Sequence, residues 1–200
     1  MTPPPLKRAA AAVLLAALVS GCSLGSPLRP RPTPSSSTAT APVAAPLPPG
    51  RGGTPAAGLP DFGKVDGGDP AAVAKAALTA MWTVDTDIDA SPMDAERRAV
   101  PMFTARRAEG AASMTPRAQP GNTWVTWASH HAFTTVQAQQ SHEDGGPADG
   151  PTTAFQRWVV TVTPKGRDGW TGPPEIHIAL VVLLRDDTAQ PWRLDTLTLR

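Results

Sequence analysis

The hydrophobic pattern of this 200-residue chain changes its period near Gly121, and that change limits the possible folds more than any other feature. Before it, apolar residues such as Val73, Ala77, Met81 and Val84 recur at spacings of three and four. This spacing gives a helix one apolar face. After it, short runs rich in Thr and Val alternate with turn sequences, as in strands. Helices followed by strands predict an α+β domain with an antiparallel sheet.

Three helices and four strands are predicted in this domain. Asp69-Pro70 and Ser91-Pro92 each combine an N-cap residue with proline at the first helical position, and Thr104 can cap a third helix. The predicted helices cover residues 70 to 87 or 89, 92–100 and 105–109. The predicted strands cover residues 132–140, 153–163, 175–185 and 192–199, with turn compositions in all three breaks between them.

The first 21 residues are predicted to be a signal peptide. Lys7 and Arg8 precede an 11-residue apolar run, which is too short to cross a hydrocarbon core that needs about 20 residues. The run ends in Val19-Ser20-Gly21-Cys22, which resembles the signal of bacterial lipoproteins. That resemblance implies cleavage between Gly21 and Cys22, a lipid on the Cys22 sulfur, and anchoring at the extracytoplasmic face of the cell membrane. An ordinary secretory signal and an uncleaved anchor are the alternatives.

Residues 22–68 are predicted to form a disordered tether, and residues 69–200 the folded domain. The 46 residues from Ser23 to Gly68 include 10 Pro and 8 Gly, and their large apolar residues are isolated. Such a segment cannot bury enough surface to offset its ordering entropy, and its prolines favour extended structure. We interpret it as a spacer; filler without a required length is the alternative.

Charge and cysteine content exclude several classes of protein. The whole chain has a formal net charge of +1, which argues against nucleic-acid binding through bulk charge. Cys22 is the single cysteine, so neither an intrachain disulfide nor a cysteine-cluster metal site can form. No cofactor is predicted.

One acidic segment has the spacing of a calcium loop. Asp85, Asp87, Asp89 and Glu96 stand at positions 1, 3, 5 and 12 of such a loop. The sixth position, which requires glycine for a sharp turn, is alanine, and the eighth is proline. We therefore favour a polar helix end followed by a capped helix, and predict no metal site.

Histidine and carboxylate residues give no credible catalytic set. His130 and His131 are adjacent and would point to opposite faces of a strand, while His142 is isolated in a predicted loop. His177, with Asp195 or Arg157 on neighbouring strands, is the remaining candidate for an acid/base pair. The sequence does not show that their faces meet, and it contains no nucleophile elbow or phosphate-binding loop. We predict that the protein is not an enzyme.

Trp170 is the tryptophan least expected in the core. It follows Gly169 and precedes Thr171-Gly172-Pro173-Pro174, in a predicted loop between strands. An exposed tryptophan on such a loop is a candidate contact for a protein partner, because tryptophan is enriched among residues that dominate interface energy. Packing within its own loop is the alternative.

Three helices followed by four antiparallel strands resemble the cystatin-like cone shared with nuclear transport factor two. Within that superfamily, four segments are similar to secreted proteins of Gram-positive conjugation systems, which themselves resemble an assembly component of type IV secretion channels. These segments are residues 81–87, 91–99, 124–132 and 191–194. The resemblance implies a non-catalytic assembly or protein-binding module with a partner in the cell envelope. A small apolar ligand in the pocket between helices and sheet is the alternative, and an enzyme of the superfamily is a third.

Overall fold

The computed structural model describes residues 50–115, 121–141 and 146–200. In these residues four helices precede a four-stranded antiparallel sheet, which confirms the predicted α+β class. The elements are α1 Pro70–Trp82, α2 Pro92–Arg98, α3 Ala105–Ser113, α4 Asn122–Ser129, β1 Phe133–Ser141, β2 Thr153–Lys165, β3 Glu175–Leu184 and β4 Arg193–Leu199. Gly21, Cys22 and His142 lie outside the described residues, so the signal peptide, its cleavage and the lipidation stay predictions.

In the described part of the chain, no helix combines the length and the apolarity needed to cross a bilayer.

Helix α1 begins where the sequence predicts and ends earlier. The Asp69 carboxylate accepts a hydrogen bond from the Ala71 N–H at 2.8 Å, as expected of an N-cap. The helix ends at Trp82, and the Thr83 hydroxyl donates to the Thr79 carbonyl at 2.7 Å. The predicted end at residue 87 or 89 is wrong. Val84 and Ile88 continue the apolar spacing, but they lie in the loop to α2.

The next two helices start as predicted. In α2 the Asp94 carboxylate accepts from the N–H groups of Ala90 and Ser91, at 2.8 and 3.2 Å. In α3 the Thr104 hydroxyl accepts from the Arg107 N–H at 3.3 Å. The end predicted for α3 at residue 109 is wrong, because the helix continues through Gly110 to Ser113.

Helix α4 was not predicted, and its presence changes the placement of two histidines. Trp124 and Trp127 stand three residues apart, a spacing that brings both onto one side of a helix, and Trp127 is buried. His130 caps the C-terminus of α4, and His131 follows in a left-handed conformation with φ of 48°. The two histidines form the turn into β1, so the argument that they would point to opposite faces of a strand does not apply to them.

The sheet has the strand order β1-β2-β3-β4, with every neighbouring pair antiparallel. Buried side chains alternate along the strands and form its inner face. They are Trp158, Val160 and Val162 on β2, Ala179, Val181 and Leu183 on β3, and Leu194 on β4. Helix α1 packs against this face through Val73, Leu78 and several fully buried alanines. Small alanine side chains allow the helix backbone to approach the sheet closely.

The outer face of the sheet carries a row of aliphatic side chains. Along β3 these are Ile176, Ile178, Leu180, Val182 and Leu184, at positions that alternate with the buried ones. Ile176 is 66% exposed, and Phe155 on the neighbouring strand is 38% exposed. We call the five β3 residues the aliphatic row.

Residues 50–68, predicted as the end of the tether, pack against the domain. Leu59, Phe62 and Val65 contact the main core cluster. The Trp192 N–H donates to the Gly67 carbonyl at 2.8 Å, and a side chain at Gly67 would meet Pro191 at 2.8 Å. The prediction that the folded part starts at residue 69 is therefore wrong. In the sequence, Leu59, Phe62 and Val65 look isolated among prolines and glycines. They recur at every third position, however, and together they cover part of the core.

Candidate functional site

A cavity of about 310 Å³ lies between the helices and the inner face of the sheet. Its volume is at the lower end of the range of about 300–1,000 Å³ typical of small-molecule sites. It is lined by Met81, Trp82, Val84, Pro92, Met93, Glu96, Arg107, Trp127, Val162, Glu175, His177, Leu197 and Leu199. Most of these side chains are apolar, and they come from helices α1 to α4 and from strands β2, β3 and β4.

One wall of the cavity carries an ion pair that the sequence analysis missed. Arg107 Nη2 lies 2.8 Å from Glu96 Oε1, and the guanidinium of Arg107 stands 4.7 Å above the centre of the Phe103 ring. Burial lowers the pKa of Arg107, while the charges of Glu96 and Asp195 act in the opposite direction. Arg107 and Glu96 belong to different helices, so no spacing rule for a single helix indicates their pairing.

The strand side of the cavity holds His177 and Glu175. His177 Nε2 lies 3.6 Å from Glu175 Oε2, and the imidazole stacks on Trp82 with 5.6 Å between ring centres. Glu175 and Trp82 were not predicted as site residues. Alternation along β3 does indicate that Glu175 and His177 share the inner face, since they stand two residues apart.

The structure separates His177 from the two residues considered as its partners. Asp195 accepts hydrogen bonds from the hydroxyls of Thr104 and Thr196, both at 2.9 Å, and also pairs with Arg106. It lines a different, polar cavity of about 460 Å³. Burial would raise the pKa of Asp195, but the hydrogen bonds from Thr196, Thr104 and Arg106 outweigh it and lower the pKa. Arg157 occupies an outward position of β2, opposite Leu180.

The three aspartates considered as calcium ligands are all engaged by basic side chains. Arg167 pairs with Asp85 at 2.8 Å and with Asp87 at 3.2 Å. Asp87 also pairs with His131 at 2.7 Å, and Asp89 pairs with Arg98 at 2.5 Å. Glu96, at the twelfth position, pairs with Arg107 instead. Carboxylates of a calcium loop converge on one cation, whereas these four are held in ion pairs with four basic side chains. The described residues contain no group of three or more His, Cys, Asp or Glu side chains placed to hold a metal ion.

Asp85 is the most buried of these acidic residues, with 1% of the residue exposed against 7% for Asp89. Its Oδ2 accepts from the Ala56 N–H at 2.9 Å and from Arg167, and its Oδ1 accepts from the Asp87 N–H at 3.1 Å. Burial by itself would raise the pKa of Asp85. The hydrogen bonds from Arg167, Ala56 and Asp87 outweigh it, so the pKa of Asp85 lies below its ordinary value.

Trp170 is half-buried. Its ring stacks on His130 with 4.3 Å between centres and an angle of 2°, and His130 Nδ1 lies 2.7 Å from Asp168 Oδ2. Trp170 also packs against a second apolar cluster, formed by Val84, Ala95, Trp127 and Ala132. Its loop is thus tied to α4 and to the loop after α1; a role for Trp170 in contacting a partner stays a prediction.

Comparison of the chain with protein-family models, with curated proteins and with solved structures finds no match.

We expect Asp85→Asn to lower the free energy of unfolding at pH 7 by about 2 kcal/mol. The substitution removes the buried charged partner of Arg167 and leaves this guanidinium its longer contact with the Asp87 carboxylate, at 3.2 Å. A carboxyl with a lowered native pKa stabilises the fold fully above its unfolded pKa of about 3.9, and that contribution is lost as the pH falls through the native pKa. The difference between the two proteins should therefore shrink below about pH 4. Denaturant unfolding measured between pH 7 and pH 3 tests this.

The matched control is Asp186→Asn, which changes an exposed aspartate in the same way and should leave the free energy of unfolding within about 0.5 kcal/mol of the wild type. Equal stability of the Asp85→Asn and Asp186→Asn proteins at pH 7 would contradict the role given to Asp85.

Proposed function

We propose that this protein is a lipid-anchored, non-catalytic binding module at the extracytoplasmic face of the cell membrane, and that its domain binds a small apolar ligand. The observation that carries the ligand proposal is the 310 Å³ cavity and its largely apolar lining. Met81, Trp127, Val162 and Leu197 supply apolar surface from four different elements. A ligand of about ten non-hydrogen atoms would bury most of its surface there.

The pairing of charges in the cavity favours binding over catalysis. Glu96 is held by Arg107 at 2.8 Å, so Glu175, which lies 3.6 Å from His177, is the cavity carboxylate without a hydrogen-bonded basic partner among the lining residues. Asp195, the other candidate acid or base, lies in the separate polar cavity. A catalytic acid or base must reach the reacting atom within hydrogen-bonding distance, and a group held by its own partner is less available for that.

The ligand proposal is tested by filling the cavity. Met93→Trp should weaken binding of 4-phenyl-1-butanol to the purified protein by about tenfold or more, because the larger side chain occupies the ligand's space. Isothermal titration calorimetry measures the effect. Met114→Trp is the matched control, since Met114 is 48% exposed and does not line the cavity. Absence of binding to the wild type, or equal binding by both variants, would contradict the proposal.

The anchor proposal depends on Cys22. Two or more acyl chains hold a protein on a bilayer stably, whereas one chain is marginal. We expect the wild-type protein in the membrane fraction of cells and the Cys22→Ser protein mainly outside it, as measured by fractionation and immunoblotting. Ser23→Ala, which keeps the cysteine, should behave like the wild type. A wild-type protein found mostly in the soluble fraction would argue against a lipid anchor.

A protein partner is the second candidate function, and the aliphatic row favours it. Exposed apolar surface on one face of a sheet is a common site of protein association. The resemblance to the cystatin-like cone and to conjugation proteins suggests that such a partner belongs to a conjugation or secretion apparatus. The row, rather than Trp170, offers the larger exposed apolar surface.

A photo-crosslinking amino acid at Ile176 tests this second function in intact cells. We expect a crosslinked adduct of one defined mass, because Ile176 is the most exposed residue of the row. The same amino acid at Lys75, which is exposed on α1, should give no such adduct. Identical adduct patterns at the two positions would indicate random collision rather than a docking face.

A further inference from the structure

Of the two carboxylates that line the cavity, one has a close positively charged partner and the other does not. Two carboxylates, Glu96 and Glu175, line it together with one guanidinium, that of Arg107. Arg107 lies 2.8 Å from Glu96, which is hydrogen-bonding distance. Glu175 lies 3.6 Å from His177, which is too long for a hydrogen bond, and 41% of its side chain is exposed. The Glu175 carboxylate therefore retains capacity to accept a hydrogen bond from a ligand.

Aromatic side chains line the same cavity as this carboxylate. Trp82 and Trp127 both line the cavity, and His177, two residues from Glu175, stacks on Trp82. The face of an indole ring carries negative electrostatic potential and attracts cations that stand above it. A cavity that combines a carboxylate with tryptophan side chains is therefore a favourable surrounding for an ammonium group.

Ligands of other charge fit the same walls less well. A carboxylate ligand would compete with Glu96 for Arg107, which is already stacked over Phe103, and it would be repelled by Glu175. An uncharged ligand would gain the apolar contacts but would leave Glu175 without a counter-charge. The apolar part of the cavity, with Met81 and Val162, suits the body of the molecule rather than its charged end.

We infer that the ligand of this cavity is an organic cation, an amine protonated at neutral pH and carried on a compact apolar body. The ammonium would donate to Glu175 at the Trp82–His177 side, and the apolar body would lie against Trp127 and Leu197. This inference rests on the proposed function, since it names the class of ligand for the same cavity.

Three probes that share one apolar body separate the effect of charge. They are 4-phenylbutylamine, 4-phenyl-1-butanol and 4-phenylbutyrate, titrated calorimetrically into the purified full-length protein at pH 7 and low salt. We expect the amine to bind about fivefold tighter than the alcohol, which is the size of a partly exposed charge interaction. The acid should bind more weakly than the alcohol.

The variant Glu175→Gln should remove the advantage of the amine over the alcohol, so that the two probes bind this variant with equal affinity. Glu109→Gln is the matched control, because Glu109 is an exposed residue of α3 that does not line the cavity. Equal melting temperatures of the variants and the wild type verify the fold.

The outcomes separate this inference from the proposed function. Binding of the alcohol, with the amine no tighter or with the acid tightest, would overturn the inference and leave the binding cavity in place. An amine advantage that survives Glu175→Gln would also overturn it. Absence of binding by all three probes would overturn the proposed function itself.

Discussion

The buried carboxylate of Asp85 connects segments that are far apart in the sequence. It accepts hydrogen bonds from the backbone of Ala56 and Asp87 and from the side chain of Arg167. The Arg167 guanidinium also donates to the His131 carbonyl at 2.6 Å, at the turn into the first strand. Removing a charge from water costs several kcal/mol unless its partners are in place. The segment before α1, the loop after α1 and the loop between β2 and β3 must therefore assemble together around this group.

The loop after α1 supplies part of the cavity between the helices and the sheet. Val84 lines the cavity and immediately precedes Asp85, and Trp82, the last residue of α1, lines it as well. The position of the Asp85 carboxylate therefore determines where these two side chains stand. Arg98 donates to the Thr83 carbonyl at 2.7 Å and pairs with Asp89, which fixes the loop against α2. The acidic residues between α1 and α2 thus have a structural explanation, because their ion pairs and hydrogen bonds hold the cavity wall in place.

The sequence predicts the sheet well, because buried and more exposed side chains alternate along its strands and the strands end at turn residues. Bounds of β2 and β3 differ from the prediction by no more than two residues at either end. The end of α1, the helix α4 and the packing of residues 50–68 could not be predicted in this way. In each case tertiary contacts decide the local structure. Ile88 keeps helical spacing in a loop, Trp124 and Trp127 form a helix without a side-chain cap, and Phe62 binds the core from a proline-rich segment.

The charged residues of the cavity illustrate the same limit. The sequence indicates His177 as a candidate site residue, but it does not indicate that Trp82 and Glu175 are its neighbours. The Trp82–His177 stacking joins the end of a helix to a strand, and the spacing of residues along the chain does not predict such a contact. Glu96 was considered only as a calcium ligand. Its actual partner, Arg107, lies on another helix beyond a break at Pro101, so charge spacing along the chain gave no indication of the pair.

The packing of residues 50–68 against the domain also shortens the predicted tether. If Cys22 carries the lipid, only the 27 residues from position 23 to 49 separate the bilayer from the first described residue. Even fully extended, such a length spans no more than about 100 Å. The first described residues lie beside Ile88, where the Arg51 N–H donates to the Ile88 carbonyl at 2.7 Å. A pulling force applied to the chain at residue 50 would therefore act first on the loop between α1 and α2.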